Sequence, residues 1–568
     1  MSADANVPSG DDDPTPIDAV ETGDRDHERD GGGRGFVFWA DEVADRIEAR
    51  DPSEPITIKG GISPSGVPHL GNVNEIMRGY VVAEVLRERG HEVEQVFTSD
   101  DRDPLRKLPR RLADLDGEIV DLGDVNAGAL GRNLGAPYTA IPDPFGCCDS
   151  YGDHFSTLIA DSAEALDVPI EVLSNTALYE AGEFDDAIAD VLKRPDRARD
   201  VLAEFQDKVD DEYVPFNPIC GDCGKITETV TAIDLNAGTV EYRCTDIETG
   251  DRTIDGCGHE GTATFREGKL PWRFEWPAQW RLLGVDFEPF GKDHAEGSWP
   301  SGERIAREVF GFEPPEPMVY EWFTLDGEPF SSSAGNVILV SEVLELIEPE
   351  VLRYFFTKDP GRGRDFDIGR IDGLVDEFDR IERIYLGSVD PADDHERERA
   401  ERVYPIAVDE VREERVRIPY RFAAVLGMTD DPALRAEIAR REGHVPDDAP
   451  EWAVEEALAR VERARRWARR TDNEYNYELK RTSMPDVALD EAEAAALEDL
   501  ADAVESGADG EGLQGEFYEV ARRHDLEPRE VFVAGYRLFF DDEQGPRLGH
   551  FLAELDREFV VRRLRREG

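Results

Sequence analysis

An α/β domain on a parallel sheet, interrupted by a cysteine-bearing insert and followed by a long all-α region, is the fold class that this sequence predicts. Three observations carry it. Residues 54–101 alternate strand, turn, helix and strand ("PITIKG", a helix-spaced apolar set, "EVEQVFTSDD"), the pattern of a βαβ unit. Residues 216–268 gather cysteines, glycines and short β-like runs. Beyond about residue 370 nearly every stretch has helical spacing, with a polar break at "DPADDHERERAE".

Composition bounds the rest. A length of 568 residues predicts two to four domains, and 40% hydrophobic residues suffice for globular cores. No apolar run reaches the roughly 18 residues of a membrane span. Residues 1–35 are acidic and rich in Gly and Pro, so they read as a disordered leader and not as a secretory signal. The chain therefore reads as cytoplasmic, with no membrane partner. The 127 acidic and 65 basic residues give a net charge of −62. That charge spreads over every predicted element, which suits adaptation of a whole surface to high salt better than an acidic tail. It does not exclude RNA as a partner, because at such salt phosphate–cation attraction is weak for any protein.

The first strand, around Ile56–Ile58, runs into "GGISPSGVPHLGN" (60–72). The helix after it carries Ile76, Met77, Tyr80, Val81, Val85 and Leu86 on helical spacing. Asn72 is expected to cap this helix, with Glu75 three positions on in a capping-box-like arrangement. The free N–H groups and positive dipole end then face the carboxyl end of the strand, where an anion would sit. Small residues around Ser63, Ser65 and Gly66 allow close approach to the backbone. His69 offers a donor, and Gly71 leaves room for a flat base. A tight strand–helix connection with an incidental histidine fits the local pattern equally well. The absence of a Walker lysine and of GxGxxG disfavours a P-loop or dinucleotide site.

Downstream, six cysteines in a long chain argue for metal rather than disulfides. Cys220, Cys223, Cys244 and Cys257 have the spacing of a tetrahedral zinc site, with His259 as an alternative ligand. "DPFGCCDSYGDH" places Asp143, Cys147, Cys148 and His154 within twelve residues, a weaker signal because Asp149 and Asp153 are equally available. Trp272, Trp276 and Trp280 repeat at helix spacing, which suits core packing for the latter two. His294 follows the strand-like "VDFEPF". In the helical remainder, "ARVERARRWARR" (459–470) sets arginines around Trp467, and "NEYNYELKR" adds Tyr475, Tyr477 and Lys480. These suit stacking of unpaired bases, or equally a solvated Arg/Glu helix face.

"SPSGVPHLGN", "SDDRDPLRKLP", "IPDPFGCCDSYGDHF", "LPWRFEWPAQWRLLGVDFEPFGKDH", "VYEWFTLDGEPFSSSAGNVI", "IEPEVLRYFF" and "GPRLGHFLAELDREFVVRRL" occur in that order. Together they resemble the class I aminoacyl-tRNA synthetases in their lysyl form, over residues 36–568. The resemblance implies a Rossmann-type class I synthetase catalytic domain with a zinc-binding insertion, followed by an all-α C-terminal anticodon-binding domain. Its expected divisions are a catalytic first half at 36–154, the insertion at 155–270 and a catalytic second half at 271–340. A connecting helical domain at 341–388 and the anticodon-binding domain at 389–568 complete it.

The resemblance also implies a lysine–tRNA ligase using ATP, Mg2+ and Zn2+ on L-lysine and tRNA(Lys), as a monomer. The choice of lysine rests on the resemblance alone. A non-catalytic tRNA-binding paralogue and a glutamyl- or cysteinyl-type enzyme are the alternatives. By the same resemblance ATP would contact Pro64, Ser65, Gly66, His69, Gly71, Asn72 and Ser332. Catalysis would use His69, Asn72, Ser331, Ser332 and Ser333. Lysine would contact Gly61, Ser63, Trp272, His294 and Tyr320. A second zinc would sit on Asp143, Cys147, Cys148 and His154. The family's Lys-Met-Ser-Ser-Ser loop reads "PFSSSAGN" here: Gly335 and Asn336 match, but Pro329 and Ala334 stand where lysines are common. Lys292 or Arg106, with Mg2+, would then supply the missing positive charge.

Overall fold

The computed structural model describes residues 37–567 apart from 207–208, 210–211, 250–251 and 331–335. The expected leader and the loop residues Ser331, Ser332 and Ser333 lie outside the described residues. In chain order come α1 (Trp39–Glu48), β1 (Ile56–Ile62), α2 (Leu70–Glu88), β2 (Val93–Ser99), α3 (Tyr151–Glu164) and β3 (Glu171–Ser174). The insert supplies antiparallel strands β4 (Val230–Asp234), β5 (Thr239–Arg243) and β6 (Glu260–Thr264). After it follow α4 (Trp272–Leu283), β7 (Phe287–Gly291) and β8 (Glu316–Tyr320).

Five strands form one parallel sheet in the order β8-β7-β1-β2-β3. The order reverses between β1 and β7, and in such sheets ligands bind at the carboxyl ends beside the reversal. β1 is buried almost throughout, as a central parallel strand must be with helices on both faces. α2 packs Ile76, Met77, Val81, Val82, Val85 and Leu86 into the main core.

The sheet extends beyond the expected catalytic boundary at 154, because its edge strand is β3. That edge strand is only half-buried, so it carries little apolar signal in the sequence.

A second small sheet joins β9 (Phe323–Leu325) to β10 (Glu328–Pro329) and, beyond the helix α5 (Pro349–Thr357), to β11 (Arg364–Phe366). It carries the segment that leads into the serine loop. Helices α6 (Ile371–Tyr385) and α7 (Glu451–Thr471) belong to the helical remainder. Among the described residues no helix is long and apolar enough to cross a membrane.

Of the two readings left open for 459–470, a base-stacking face or a solvated helix face, neither fits Trp467. Its side chain is 2% exposed and its Nε1 donates to the carbonyl of Ile368 at 2.8 Å. Arg460, on the same helix, is buried between Glu348 (2.6 Å) and Asp379 (2.7 Å). Sequence spacing puts Arg and Trp on one helix, but only the packed neighbours decide which face meets water.

Candidate functional site

The turn between β1 and α2 is shaped by close packing. A Cβ on Gly61 would collide with Thr98 Oγ1 on the neighbouring strand. α2 begins at Leu70, so His69 is the capping residue in place of the expected Asn72, whose Oδ1 instead accepts the His69 backbone N–H at 3.0 Å. Glu75 takes no part in that cap. Its Oε1 accepts the Gly61 N–H at 3.0 Å, and its Oε2 faces the Tyr320 hydroxyl at 3.5 Å. The helix starts three residues earlier than its polar signals suggest, and this turns Glu75 inward.

The His69 ring stacks on Phe330 (centroids 4.9 Å apart, planes at 21°). Gly71 is required for that placement, since a Cβ there would stand 2.9 Å from the imidazole. The space over Gly71, expected for a flat base, is therefore filled by His69. Burial pushes the His69 pKa down to about 4, so the ring is neutral near pH 7. Its Nδ1 is buried without a partner beside the positive end of α2, which favours the tautomer with the proton on Nε2.

A cleft of about 1110 Å³ opens over this turn. Ser63, Pro64, Ser65, Gly66, His69, Asn72 and Trp272 line it. Gly61, Gly71, His294 and Tyr320 do not, but two of them sit close behind: Gly61 and Tyr320 both meet Glu75. The His294 ring lies 6.3 Å from Trp272, and its Nδ1 is 2.8 Å from Ser298 Oγ. Lys292 does not line the cleft; its Nζ pairs with Glu321 at 2.6 Å. Trp276 and Trp280 belong to an aromatic core, as their spacing suggests, yet both indole N–H groups also donate to Glu288.

A layer of buried charge beneath the cleft escaped sequence reasoning. Lys59 pairs with Glu288 at 2.8 Å, and Lys269 is held by Asp103 and by Glu275 at 2.8 Å. Asp100 accepts from Asn175 at 2.7 Å and Gln279 at 3.1 Å, while burial and then repulsion from Glu275 push its pKa up. Glu75, like Asp100, hydrogen-bonds only to neutral donors, but its partners are one backbone N–H and one tyrosine hydroxyl instead of a pair of side-chain amides. Burial, then the nearby Glu288 charge, raises its pKa to about 8. A sequence signal for the layer existed: Lys59 and Glu288 interrupt otherwise apolar strands, where an ion must find a partner.

The two expected metal sets converge geometrically. In the insert, the sulfurs of Cys220, Cys223, Cys244 and Cys257 lie within 4.8 Å of one another. The Cys220–Cys257 and Cys223–Cys244 separations are 3.6 and 3.7 Å. Sulfurs at the corners of a tetrahedron with Zn–S bonds near 2.3 Å would stand about 3.8 Å apart, so the set fits zinc. His259 lies outside this four-thiol group, its ring 6.2 Å from Tyr242.

Asp143, Cys147, Cys148 and His154 form the other set. His154 Nε2 is bound by the Ala113 carbonyl at 2.8 Å, leaving Nδ1 toward Cys147 Sγ at 3.3 Å. This outer hydrogen bond fixes which nitrogen can act as a ligand. Asp153, equally available by spacing, is taken up by Ser150 at 2.7 Å.

Comparison with known proteins agrees with the fold. The family described as "tRNA synthetases class I (K)" matches residues 37–410. A lysine–tRNA ligase of Halobacterium salinarum is 70% identical over 537 residues, covering 94% of this chain and 98% of its own. One from Haloarcula marismortui is 68% identical over 536 residues, with the same coverage. One from Pyrococcus horikoshii is 34% identical over 552 residues, covering 94% of this chain and all of its own. With that match, the reversal of strand order between β1 and β7 and the histidine-bearing turn have one common explanation: the chain belongs to the tRNA synthetases class I (K) family.

Proposed function

We propose that this chain is a lysine–tRNA ligase, which activates L-lysine with ATP and passes the lysyl group to the 3′ end of tRNA(Lys). The observation that carries the reading is Glu75, an inward-facing carboxylate with neutral hydrogen-bond partners only, beside Gly61 and Tyr320. A substrate ε-ammonium supplies the missing countercharge. The other carboxylates of the buried layer already have theirs or are held by amides. A glutamate side chain would set a second negative charge against Glu75, which disfavours the glutamyl alternative. Identity of about 70% to proteins named as lysine–tRNA ligases supports the same reading.

In the first step a carboxylate oxygen of lysine attacks the α-phosphorus of ATP. The new C–O–P linkage forms as the bridging P–O bond breaks and pyrophosphate leaves. The positive end of α2, Asn72 and the Nε2–H of neutral His69 stabilise charge on the phosphates. Ser63, Ser65 and Gly66 border the nucleotide's side of the cleft, and Ser331–Ser333 complete it by resemblance. Trp272 walls the methylenes, while His294 lies beside that wall. In the second step a ribose hydroxyl at the tRNA 3′ end attacks the lysyl carbonyl and AMP leaves. Mg2+ bound with ATP neutralises the triphosphate. A cytoplasmic monomer is part of this reading.

Charging of tRNA with labelled lysine, glutamate and cysteine in multimolar KCl, with ATP and Mg2+, tests the proposal. Lysine alone is expected to be attached. Charging with none of the three while tRNA still binds would favour the non-catalytic paralogue.

The two metal sets are proposed to hold structural zinc, and the four-cysteine set would stabilise a small insert with little core of its own. Elemental analysis is expected to find two zinc ions per chain, and Cys223→Ser to leave one. Protein free of zinc that keeps its full thermal stability would sink this assignment.

A further inference from the structure

The cleft holds two cations that no acid among the described residues neutralises. Arg106 and Lys107 line it together with Ser63, His69 and Asn72, and neither forms a hydrogen bond or ion pair among the described residues. Lys107 is alone among the described lysines in having no acidic or carbonyl partner, whereas Lys59, Lys225, Lys269 and Lys292 show how consistently the others are engaged. In a chain of net charge −62, with acids available everywhere, two adjacent unpaired cations in a cleft point to an anion from outside.

Their base is rigid. The Leu105 N–H donates to Ala136 at 3.0 Å, Gly135 donates back to Leu105 at 2.9 Å, and Tyr138 donates to Asp103 at 3.0 Å. Leu105 is fully buried, and Arg102 just before it donates to the Gly268 carbonyl at 2.9 Å. The two side chains thus project from a pinned segment, which lowers the ordering cost of gripping a ligand.

We propose that Arg106 and Lys107 bind the β- and γ-phosphates of ATP and the departing pyrophosphate, the charge that the serine loop lacks at Pro329 and Ala334. This deepens the lysine–tRNA ligase reading and rests on it. As the lysine carboxylate oxygen bonds to the α-phosphorus, the electron pair of the broken bond passes to the bridging oxygen. Pyrophosphate gains that charge, and the two cations face it. No proton transfer is needed. Of the two earlier candidates for this charge, Lys292 is excluded by its pairing with Glu321 outside the cleft.

The test compares wild type with Lys107→Met, Arg106→Met and the double variant, in lysine-dependent ATP–pyrophosphate exchange with saturating tRNA. Binding of inorganic pyrophosphate is measured beside it by calorimetry. The double variant is expected to lose about 100-fold in kcat, with KM for lysine within about twofold and Tm unchanged, and to bind pyrophosphate at least tenfold more weakly. Lys107→Arg should restore most of both. Unchanged exchange and pyrophosphate binding, with a raised KM for tRNA, would overturn the proposal and give the cations to the RNA backbone. If wild type shows no lysine-dependent exchange yet binds pyrophosphate through these two residues, the phosphate site stands and the ligase reading falls.

Discussion

Replacing Glu75 by Gln is expected to lower kcat/KM for lysine by about 10²–10³-fold, the usual cost of removing one partner of a buried charge pair. Shape is nearly conserved: the amide oxygen can still accept from the Gly61 N–H, and the amide NH2 can donate to the Tyr320 hydroxyl oxygen once that hydroxyl turns, so the loss mainly reports charge. The pH dependence is the sharper signature. With its pKa raised to about 8, Glu75 is mostly protonated in the free enzyme near pH 7. An ammonium ligand needs the ionised form, so binding lysine releases a proton. Lysine affinity should therefore rise roughly tenfold per pH unit from pH 6 toward 8 and level off above.

Stability runs the opposite way. A carboxyl whose folded pKa lies above its unfolded value contributes stability that is full below the unfolded pKa and is lost as pH rises through the folded one. For Glu75 that window runs from about 4.5 to about 8. Glu75→Gln should flatten both profiles. Equilibrium lysine binding from pH 6 to 9 decides it: a wild-type affinity independent of pH would assign the ε-ammonium to another group. Tyr320→Phe removes one neutral donor at 3.5 Å and should have a much smaller effect.

Arg460→Ala is expected to destabilise the helical region by about 3–5 kcal/mol, since it strips Glu348 and Asp379 of the guanidinium that both hydrogen-bond. Its guanidinium reaches Glu348 at 2.6 Å, Asp379 at 2.7 and 2.9 Å and the Ile418 carbonyl at 3.0 Å, joining α7 to α6 and to the start of α5. Glu348 has a lowered pKa: burial opposes ionisation, but attraction from Arg460 and Arg417 outweighs it. It therefore stabilises the fold above its unfolded pKa, and this contribution is lost as pH falls through the folded value. In Arg460→Ala the loss of stability should begin at higher pH than in wild type. Denaturant melts at pH 7 and pH 5, with tRNA affinity measured on the folded fraction, test this. A variant of wild-type stability that binds tRNA poorly would return Arg460 to the RNA-facing role its sequence context allows.

The sequence by itself determined the α/β class with its helical remainder, the strand–turn–helix at 56–88 and the four-cysteine spacing of the insert. These are local: alternation, glycine and proline punctuation and ligand spacing need no knowledge of distant segments. Only the tertiary structure decided which side chains share a partner. Glu75 looked like a capping residue until β1 and β8 brought Gly61 and Tyr320 to it. Trp467 and Arg460 could have faced RNA or solvent by their spacing until Ile368, Glu348 and Asp379 closed over them. His259 and Asp153 were plausible ligands by spacing and lost out by position. In each case the side chain's role follows from charges and hydrogen-bond partners tens to hundreds of residues away, and a linear pattern holds no record of those distances. Arg106 and Lys107 are the reverse case: in an acidic chain, only the folded neighbourhood reveals that among the described residues no acid comes to meet them.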